Sequence, residues 1–144
     1  MTIEPPPPLT LPELSLDHVS RFAAAAGLTI TQAGPDRVTG WIELGAEHHT
    51  PWGVVHGGVY TTAVESAASI GASAAVADRG QIAVGVHNAT DFLRPATSGR
   101  AEVVAEPIHQ GRIQQLWQVI ITRQSDGKEL ARGQLRVQNV TPPA

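Results

Sequence analysis

Two glycines and one glutamate near the middle of the chain have the residue types for acyl-transfer chemistry. Gly57 and Gly58 begin a predicted long helix, and Glu65 is the only charged residue inside it. Glycines at a helix start leave first-turn N–H groups unpaired and open to close approach, so this end of the helix suits a developing oxyanion. A carboxylate further along the helix can attack a carbonyl carbon or deprotonate a water.

The spacing between Gly57 and Glu65 predicts a dimer. Eight helical residues span roughly 12 Å. An oxyanion donor and a nucleophile that act on one carbonyl each lie about 3 Å from it, so they are at most about 6 Å apart. One helix therefore cannot form the site alone. Two antiparallel copies across a two-fold axis would bring Gly57 of one chain to the partner's Glu65, twice over.

The central helix has two kinds of residue that predict different contacts. Its many small residues predict close packing against a sheet; they are Ala63, Ala67, Ala68, Gly71, Ala72, Ala74 and Ala75. A second set recurs at steps of four and shares one face, namely Thr61, Glu65, Ser69 and Ser73. A solvated face usually carries Lys and Glu together, so a single carboxylate among hydroxyls favours a functional face.

The composition limits the function classes. A chain of 144 residues is expected to form one domain. Its formal net charge is -3, its pI is near 6.0 and it has no basic run, so we expect no nucleic-acid partner. It has no cysteine, which excludes disulfides and thiolate zinc sites. We find neither a span of about 18 apolar residues nor a signal-peptide pattern, so we expect no membrane partner and a cytoplasmic location.

The chain is predicted to consist of a tail and one domain. Residues 1–12 are expected to be a disordered, proline-rich tail, because the run Pro5 to Pro8 has no donors for a ladder. Residues 13–140 are predicted to form the domain. Ser15 is expected to cap a short helix that ends at Gly27, with an apolar face made of Leu16, Val19, Phe22, Ala23 and Ala26.

Alternating apolar and polar residues predict strands on both sides of the central helix. The predicted strands are 28–31, 37–44, 82–92, 101–108, 113–123 and 129–139. Short turns between them favour antiparallel pairing. One long helix between an early hairpin and four later strands predicts an α+β domain in which a curved antiparallel sheet wraps around the helix.

Three segments resemble the hotdog-fold acyl-CoA thioesterases: Gly53 to Val59 with its G-x-x-H-G-G motif, Glu65 to Ser69, and Val86 to Pro95. The chain is most similar to the phenylacetate-pathway (PaaI-like) group and to the 4-hydroxybenzoyl-CoA thioesterase of the Arthrobacter type, over about Leu28 to Gln138. The resemblance implies a hotdog fold and a homodimer with shared active sites that assembles into a tetramer. It also implies hydrolysis of an acyl-CoA to a carboxylic acid and CoA, with no cofactor apart from the CoA of the substrate.

The resemblance also implies roles for individual residues. The Gly57 N–H would polarise the thioester carbonyl, and the partner's Glu65 would be the nucleophile or general base. Ser69 would orient the carboxylate or the water, and His56 would brace the helix start. The family usually has Asn or Gln six residues before this histidine, and its amide contacts the thioester carbonyl or the attacking water. This chain has Thr50 at that substrate-binding position, and the neighbouring His49 is a candidate substitute.

Further residues are expected to bind substrate. Gly58 contributes to the helix start, and Trp52 is placed to line the acyl pocket. Asn88 is predicted to share the inward face of its strand with Val86 and Phe92, where it is either a satisfied buried amide or part of the pocket. Arg94 at a strand end and Arg112 in a turn are candidates for the CoA phosphates.

Metal catalysis and two other functions are alternatives to thioester hydrolysis. No recognised ligand spacing links His48, His49, His56 and His87, so we expect no metal site. An enoyl-CoA hydratase would need an Asp and His pair, which the helix does not supply. A non-catalytic acyl-CoA-binding dimer remains the main alternative, because Thr50 departs from the family pattern.

Overall fold

One long helix crosses a six-stranded antiparallel sheet in the computed structural model, which describes residues 20–143. A short helix α1 and two further single-turn helices accompany it. The elements are α1 (Arg21–Ala26), β1 (Leu28–Ala33), β2 (Val38–Leu44), α2 (Gly57–Val76), β3 (Ile82–Phe92), β4 (Gly99–Gln110), β5 (Gln114–Arg123) and β6 (Glu129–Val140), with 3-10 turns at Ala46–His48 and Ala77–Arg79.

The sheet has the strand order β1-β2-β4-β5-β6-β3, and every neighbouring pair is antiparallel. The strand that directly follows α2 therefore lies at one edge, paired on one side only with β6. The inner face of the sheet packs on α2, and β6 alternates between buried and exposed residues along its length. The predicted hotdog arrangement, α+β with a sheet wrapped around a central helix, is confirmed.

Small residues let α2 lie close to the sheet, as its composition predicts. A Cβ on Gly71 would collide with the ring of Trp117 and would lie 2.9 Å from Val38 Cγ2. On the sheet side, a Cβ on Gly133 would lie 2.9 Å from Val64 Cγ2. Trp117 is 0% exposed and forms the centre of the core. Close contact of helix and sheet thus depends on glycine on both surfaces.

The strand β3 contains a β-bulge that the sequence pattern did not predict. Gly85 pairs with Val137 and His87 pairs with Arg136, so Val86 is an extra residue. The alternation of side chains changes parity there. The prediction that Val86 shares the inward face with Asn88 is therefore wrong, and Ile82, Val84 and Val86 are all exposed.

The first helix is shorter than the predicted one. Ser20 is its N-cap and accepts the Ala23 N–H, and Gly27 ends it with a φ of 76°. Phe22 is 71% exposed rather than on a buried face, because only the last residue of this six-residue helix reaches the core. The predicted cap Ser15 and the predicted tail 1–12 lie outside the described residues.

Within residues 20–143, no helix is both long enough and apolar enough to cross a membrane.

Candidate active site

The start of α2 leaves one glycine N–H available. His56 is the N-cap, and its Nδ1 accepts the Gly58 N–H at 2.8 Å. The accepting nitrogen carries no proton, so the proton of a neutral His56 ring is on Nε2. The Gly57 N–H has no acceptor among residues 20–143. Of the two glycines, Gly57 is therefore the one that can donate to a ligand.

The loop before α2 is held by hydrogen bonds to two other parts of the chain. The Val55 N–H donates to the Ala96 carbonyl at 2.8 Å, and His49 Nε2 bonds to the Thr97 carbonyl at 2.6 Å. The His56 N–H donates to the carbonyl of His48, whose buried ring bonds to the Ala25 carbonyl. These bonds fix the direction in which the helix begins. Because His49 Nε2 already bonds to backbone, this nitrogen is not free for the predicted role of His49 as a substitute for the family's Asn or Gln.

Thr50 and Trp52 form a tight turn ahead of the motif. The Gly53 N–H donates to the Thr50 carbonyl at 3.0 Å, and Thr50 Oγ1 accepts the Trp52 N–H at 3.3 Å. The Thr50 hydroxyl oxygen is thus used within the turn. Trp52 is 85% exposed, so in a single protomer its ring lines no pocket.

The stripe at steps of four on α2 faces the edge strand β3. Ser73 Oγ accepts the Ala83 N–H at 3.0 Å, and the Thr61 carbonyl accepts from Asn88 Nδ2 at 3.1 Å. Glu65 lies between these two contacts and is exposed, and Ser69 is half-buried one turn further on. The carboxylate is therefore at the open edge of the protomer.

Two site residues escaped sequence reasoning. Gly85 lies under Glu65, since a Cβ built on it would be 3.1 Å from Glu65 Oε1. Phe92 lies against Gly57, where a Cβ would be 2.5 Å from the ring. A glycine inside an otherwise apolar strand often marks a close approach, and that signal was available for Gly85. No sequence signal pairs Phe92 with Gly57.

Asn88 has protein partners at both ends of its amide. Its Nδ2 donates to Thr61, and its Oδ1 accepts from Thr90 Oγ1 at 2.7 Å. These contacts match the satisfied-amide alternative and place Asn88 between β3 and the middle of α2.

The two arginine candidates lie at opposite ends of β6. Arg94 Nη1 donates to the Glu129 carbonyl at 2.8 Å, whereas the Arg112 carbonyl accepts from Asn139 Nδ2. Glu129 and Asn139 are ten positions apart in this strand, which is roughly 33 Å. Within one protomer, they do not meet the same phosphate group.

Tyr60 is a buried titratable group beside this site. Burial raises the pKa of its hydroxyl above the usual value near 10, and the nearby charge of Arg123 opposes that rise. The ring lies 6.2 Å from that of Phe92, centroid to centroid, and its hydroxyl has no partner among residues 20–143.

Gly57 and Glu65 are on one continuous helix, so a single protomer keeps them roughly 12 Å apart. A groove of about 240 Å³ on the outer face of the sheet, lined by Trp41 and Arg100 among others, contains neither of them. Residues 20–143 contain no group of three or more His, Asp or Glu side chains placed to hold a metal. The available chemistry is one backbone donor and one carboxylate, on surfaces that a second protomer could join.

Several known proteins that are similar to this chain in sequence and fold are named esterase or thioesterase. A Mycobacterium tuberculosis (strain H37Rv) protein named "Putative esterase Rv1847" is 44% identical over 121 residues, which is 83% of this chain and 86% of that protein. The solved structure of Rv1847/MT1895 has a TM-score of 0.82 at 42% identity and covers 87% of this chain and 100% of its own. Thioesterase HI1161 from Haemophilus influenzae has a TM-score of 0.82 at 27% identity, covering 93% and 92%.

The family model named Thioesterase superfamily matches residues 53–130, from the loop before α2 into the start of β6. This segment contains the helix start, Glu65 and β3. The chain belongs to the thioesterase superfamily.

Proposed function

We propose that this protein hydrolyses an acyl-CoA thioester to a carboxylic acid and CoA, at two sites that each combine Gly57 of one protomer with the partner's Glu65. The observation that carries the proposal is the hydrogen bonding at the start of α2, where only one of the two glycine N–H groups has an acceptor within the described part of the chain. His56 uses the Gly58 N–H, the Gly57 N–H remains available, and Glu65 lies at the open edge of the same protomer.

The chemistry needs only these groups and water. A thioester carbonyl lacks amide-like resonance and is a good electrophile. The Gly57 N–H and the positive end of the helix stabilise the oxyanion that forms on attack. As general base, Glu65 takes a proton from water, the C–O bond forms, the C–S bond breaks and the CoA thiolate leaves. As nucleophile, Glu65 forms an anhydride that water then cleaves. Ser69 orients the carboxylate or the water.

Packing within the protomer supports one register for the proposed dimer. Gly57 contacts Phe92, and Glu65 contacts Gly85, so both site residues lie against the edge strand β3. A two-fold axis that brings Gly57 to the partner's Glu65 thus places Phe92 opposite the partner's Gly85 and Val86. Opposite residues in antiparallel strands have side chains on the same face. With the bulge at Val86 included, this register places Ala89 opposite its own copy.

A single cysteine tests this register, since the chain has none of its own. Directly opposite residues have Cα atoms about 4.5–5.5 Å apart, which is within the range for a disulfide. Ala89→Cys is expected to form a covalent dimer under mild oxidation. Gln134→Cys is the matched control, because Gln134 is also exposed and pairs with Ala89 from β6. Its two copies would be three strand spacings apart, about 14 Å. Equal crosslinking of both variants, or none with Ala89→Cys, would contradict the register.

Thiol release from a panel of acyl-CoAs tests the reaction. The native protein is expected to release CoA, and Glu65→Gln is expected to fold and lose most turnover. Full hydrolysis by Glu65→Gln would overturn the assignment. A change of enoyl absorbance without thiol release would indicate a hydratase. Thermal stabilisation by CoA with neither signal would indicate a binding protein.

The same proposal includes the finer assignments. We place the chain near the PaaI-like and Arthrobacter-type 4-hydroxybenzoyl-CoA groups, as a dimer that forms tetramers, acts in the cytoplasm and needs no metal or separate cofactor. The segments Gly53 to Val59 and Glu65 to Ser69 support the subgroup. Exposed apolar residues, including Ile108 in β4 and Ile113 in the turn before β5, support further association beyond the dimer.

A further inference from the structure

Gly85 has no conformational reason to be glycine. The glycines of this chain that have positive φ are Gly27, Gly53, Gly80, Gly99 and Gly127. Gly85 pairs with Val137 directly before the bulge and is not among the glycines with positive φ, so its φ is one that any L-residue can adopt. Glycine inside a strand also weakens it, by loss of chain entropy and of side-chain packing. The residue type at this position therefore needs another explanation.

The explanation lies across the gap between β3 and α2. A Cβ built on Gly85 would be 3.1 Å from Glu65 Oε1 and 3.7 Å from the carboxyl carbon. The next nearest atom is Leu135 Cδ1 at 3.6 Å, an ordinary contact. Among residues 20–143, the carboxylate of Glu65 is thus the one neighbour that lies closer to this Cβ than an ordinary contact.

The bulge at Val86 makes this contact compatible with the next one along the strand. Before the bulge the odd-numbered residue Gly85 faces α2, and after it the even-numbered residue Asn88 does so. Asn88 then fixes the Thr61 carbonyl, one turn before Glu65. The strand therefore contacts α2 twice: Gly85 lies against the Glu65 carboxylate, and Asn88 bonds to the helical turn before it.

We propose that Gly85 is a positioning residue for Glu65: the bare backbone at this point lets the carboxylate lie against β3, in the position from which it reaches the partner's active site. This inference rests on the proposed function. A side chain at position 85 would push the carboxylate away from the strand while leaving its charge and the fold unchanged.

Gly85→Ala tests the proposal. The methyl group displaces Glu65 Oε1 by several tenths of an ångström, and a misplacement of about 1 Å can cost about 100-fold in rate. We expect kcat to fall about tenfold with KM, melting temperature and crosslinking through Ala89→Cys little changed. Val84→Ala is the matched control on the same strand, because Val84 is next to Gly85 but its side chain is exposed, on the face of β3 away from Glu65.

Glu65→Asp separates positioning from a general effect on the strand. The shorter side chain leaves room for a methyl group at position 85. Adding Gly85→Ala to Glu65→Asp is therefore expected to change kcat less than twofold. An equal loss of kcat in both backgrounds, or native kcat in Gly85→Ala alone, would overturn the proposal. Hydrolysis that survives Glu65→Gln would instead overturn the proposed function.

Discussion

His56 Nδ1 accepts the N–H of Gly58 across the first turn of α2, at 2.8 Å. The His56 side chain thus accepts the N–H of the second glycine and leaves the N–H of the first without an acceptor among residues 20–143. This one bond determines which backbone group is available to a substrate.

Replacing His56 is expected to affect both stability and turnover. His56→Ala removes the cap, which costs about 0.5–2 kcal/mol in the free energy of unfolding. It also frees the Gly58 N–H and loosens the helix start, so kcat falls. His56→Asn restores a cap acceptor and is expected to recover most of the stability. Urea unfolding and thiol release on the three proteins check this, and a stable His56→Ala would contradict it.

The contact between Gly57 and Phe92 predicts coupled variants. Gly57→Ala keeps the N–H but forces the Phe92 ring aside, so we expect kcat to fall at least tenfold. Phe92→Ala makes room for the added methyl group. The double variant is expected to be faster than Gly57→Ala, a non-additive result that a double-mutant cycle on kcat detects. Additive losses of kcat would show that displacement of the Phe92 ring does not cause the loss in Gly57→Ala.

Thr50 is predicted to limit the rate. Thr50→Asn keeps an oxygen that can accept the Trp52 N–H and adds an amide donor for the carbonyl or the attacking water. We expect kcat to rise about tenfold, below the roughly 100- to 1,000-fold given by a fully preorganised donor. Thr50→Val removes the turn bond and serves as the control. An Asn variant no faster than the native protein would refute this role.

Gly71→Ala tests the close packing of α2. Its methyl group would collide with Trp117, which is fully buried and cannot move outward. Overpacking of this kind is expected to lower the free energy of unfolding by about 1–3 kcal/mol. Ala74→Val adds more volume at an exposed position of the same helix and is expected to cost much less. Chemical denaturation of both variants provides the comparison.

Tyr60 predicts a loss of stability in alkaline solution. Its pKa is raised in the folded state, so the phenol stays protonated there while the unfolded chain ionises near pH 10. The contribution of Tyr60 to the free energy of unfolding is fully present below about pH 10 and is lost as the pH rises through the folded-state pKa. Tyr60→Phe is expected to remove this component of the pH dependence. At pH 7 the same variant should be as stable as the native protein or more so, by up to about 1–3 kcal/mol, because it deletes a buried hydroxyl without a protein partner. Thermal melts from pH 7 to 11 test both expectations.

Periodicity in the sequence was sufficient for the elements and for the contact surfaces of the central helix. Strands with clear alternation and turn residues were predicted to within a few residues, and the hydroxyl stripe with Glu65 was found on one face. These features follow from local geometry. The close packing of Gly71 followed from composition alone.

Long-range contacts were beyond the sequence pattern. The bulge at Val86 cannot be read from the sequence, because apolar and polar residues still alternate on each side of it. The inward-facing residues in the first half of β3 were therefore predicted wrongly. The contacts of Glu65 with Gly85 and of Gly57 with Phe92 depend on how the helix crosses the edge strand. The exposure of Phe22 depends on where α1 meets the core.

The edge strand also has a consequence before two chains meet. From Ile82 to Phe92 it has neither lysine nor proline, two of the devices against unwanted strand addition; the bulge at Val86 is its one interruption, and Ile82, Val84 and Val86 are exposed. A newly folded protomer is therefore a template for any extended polypeptide nearby. A variant that prevents the proposed pairing at this edge is expected to aggregate more readily than the native protein at the same concentration, because aggregation and pairing compete for the same backbone groups.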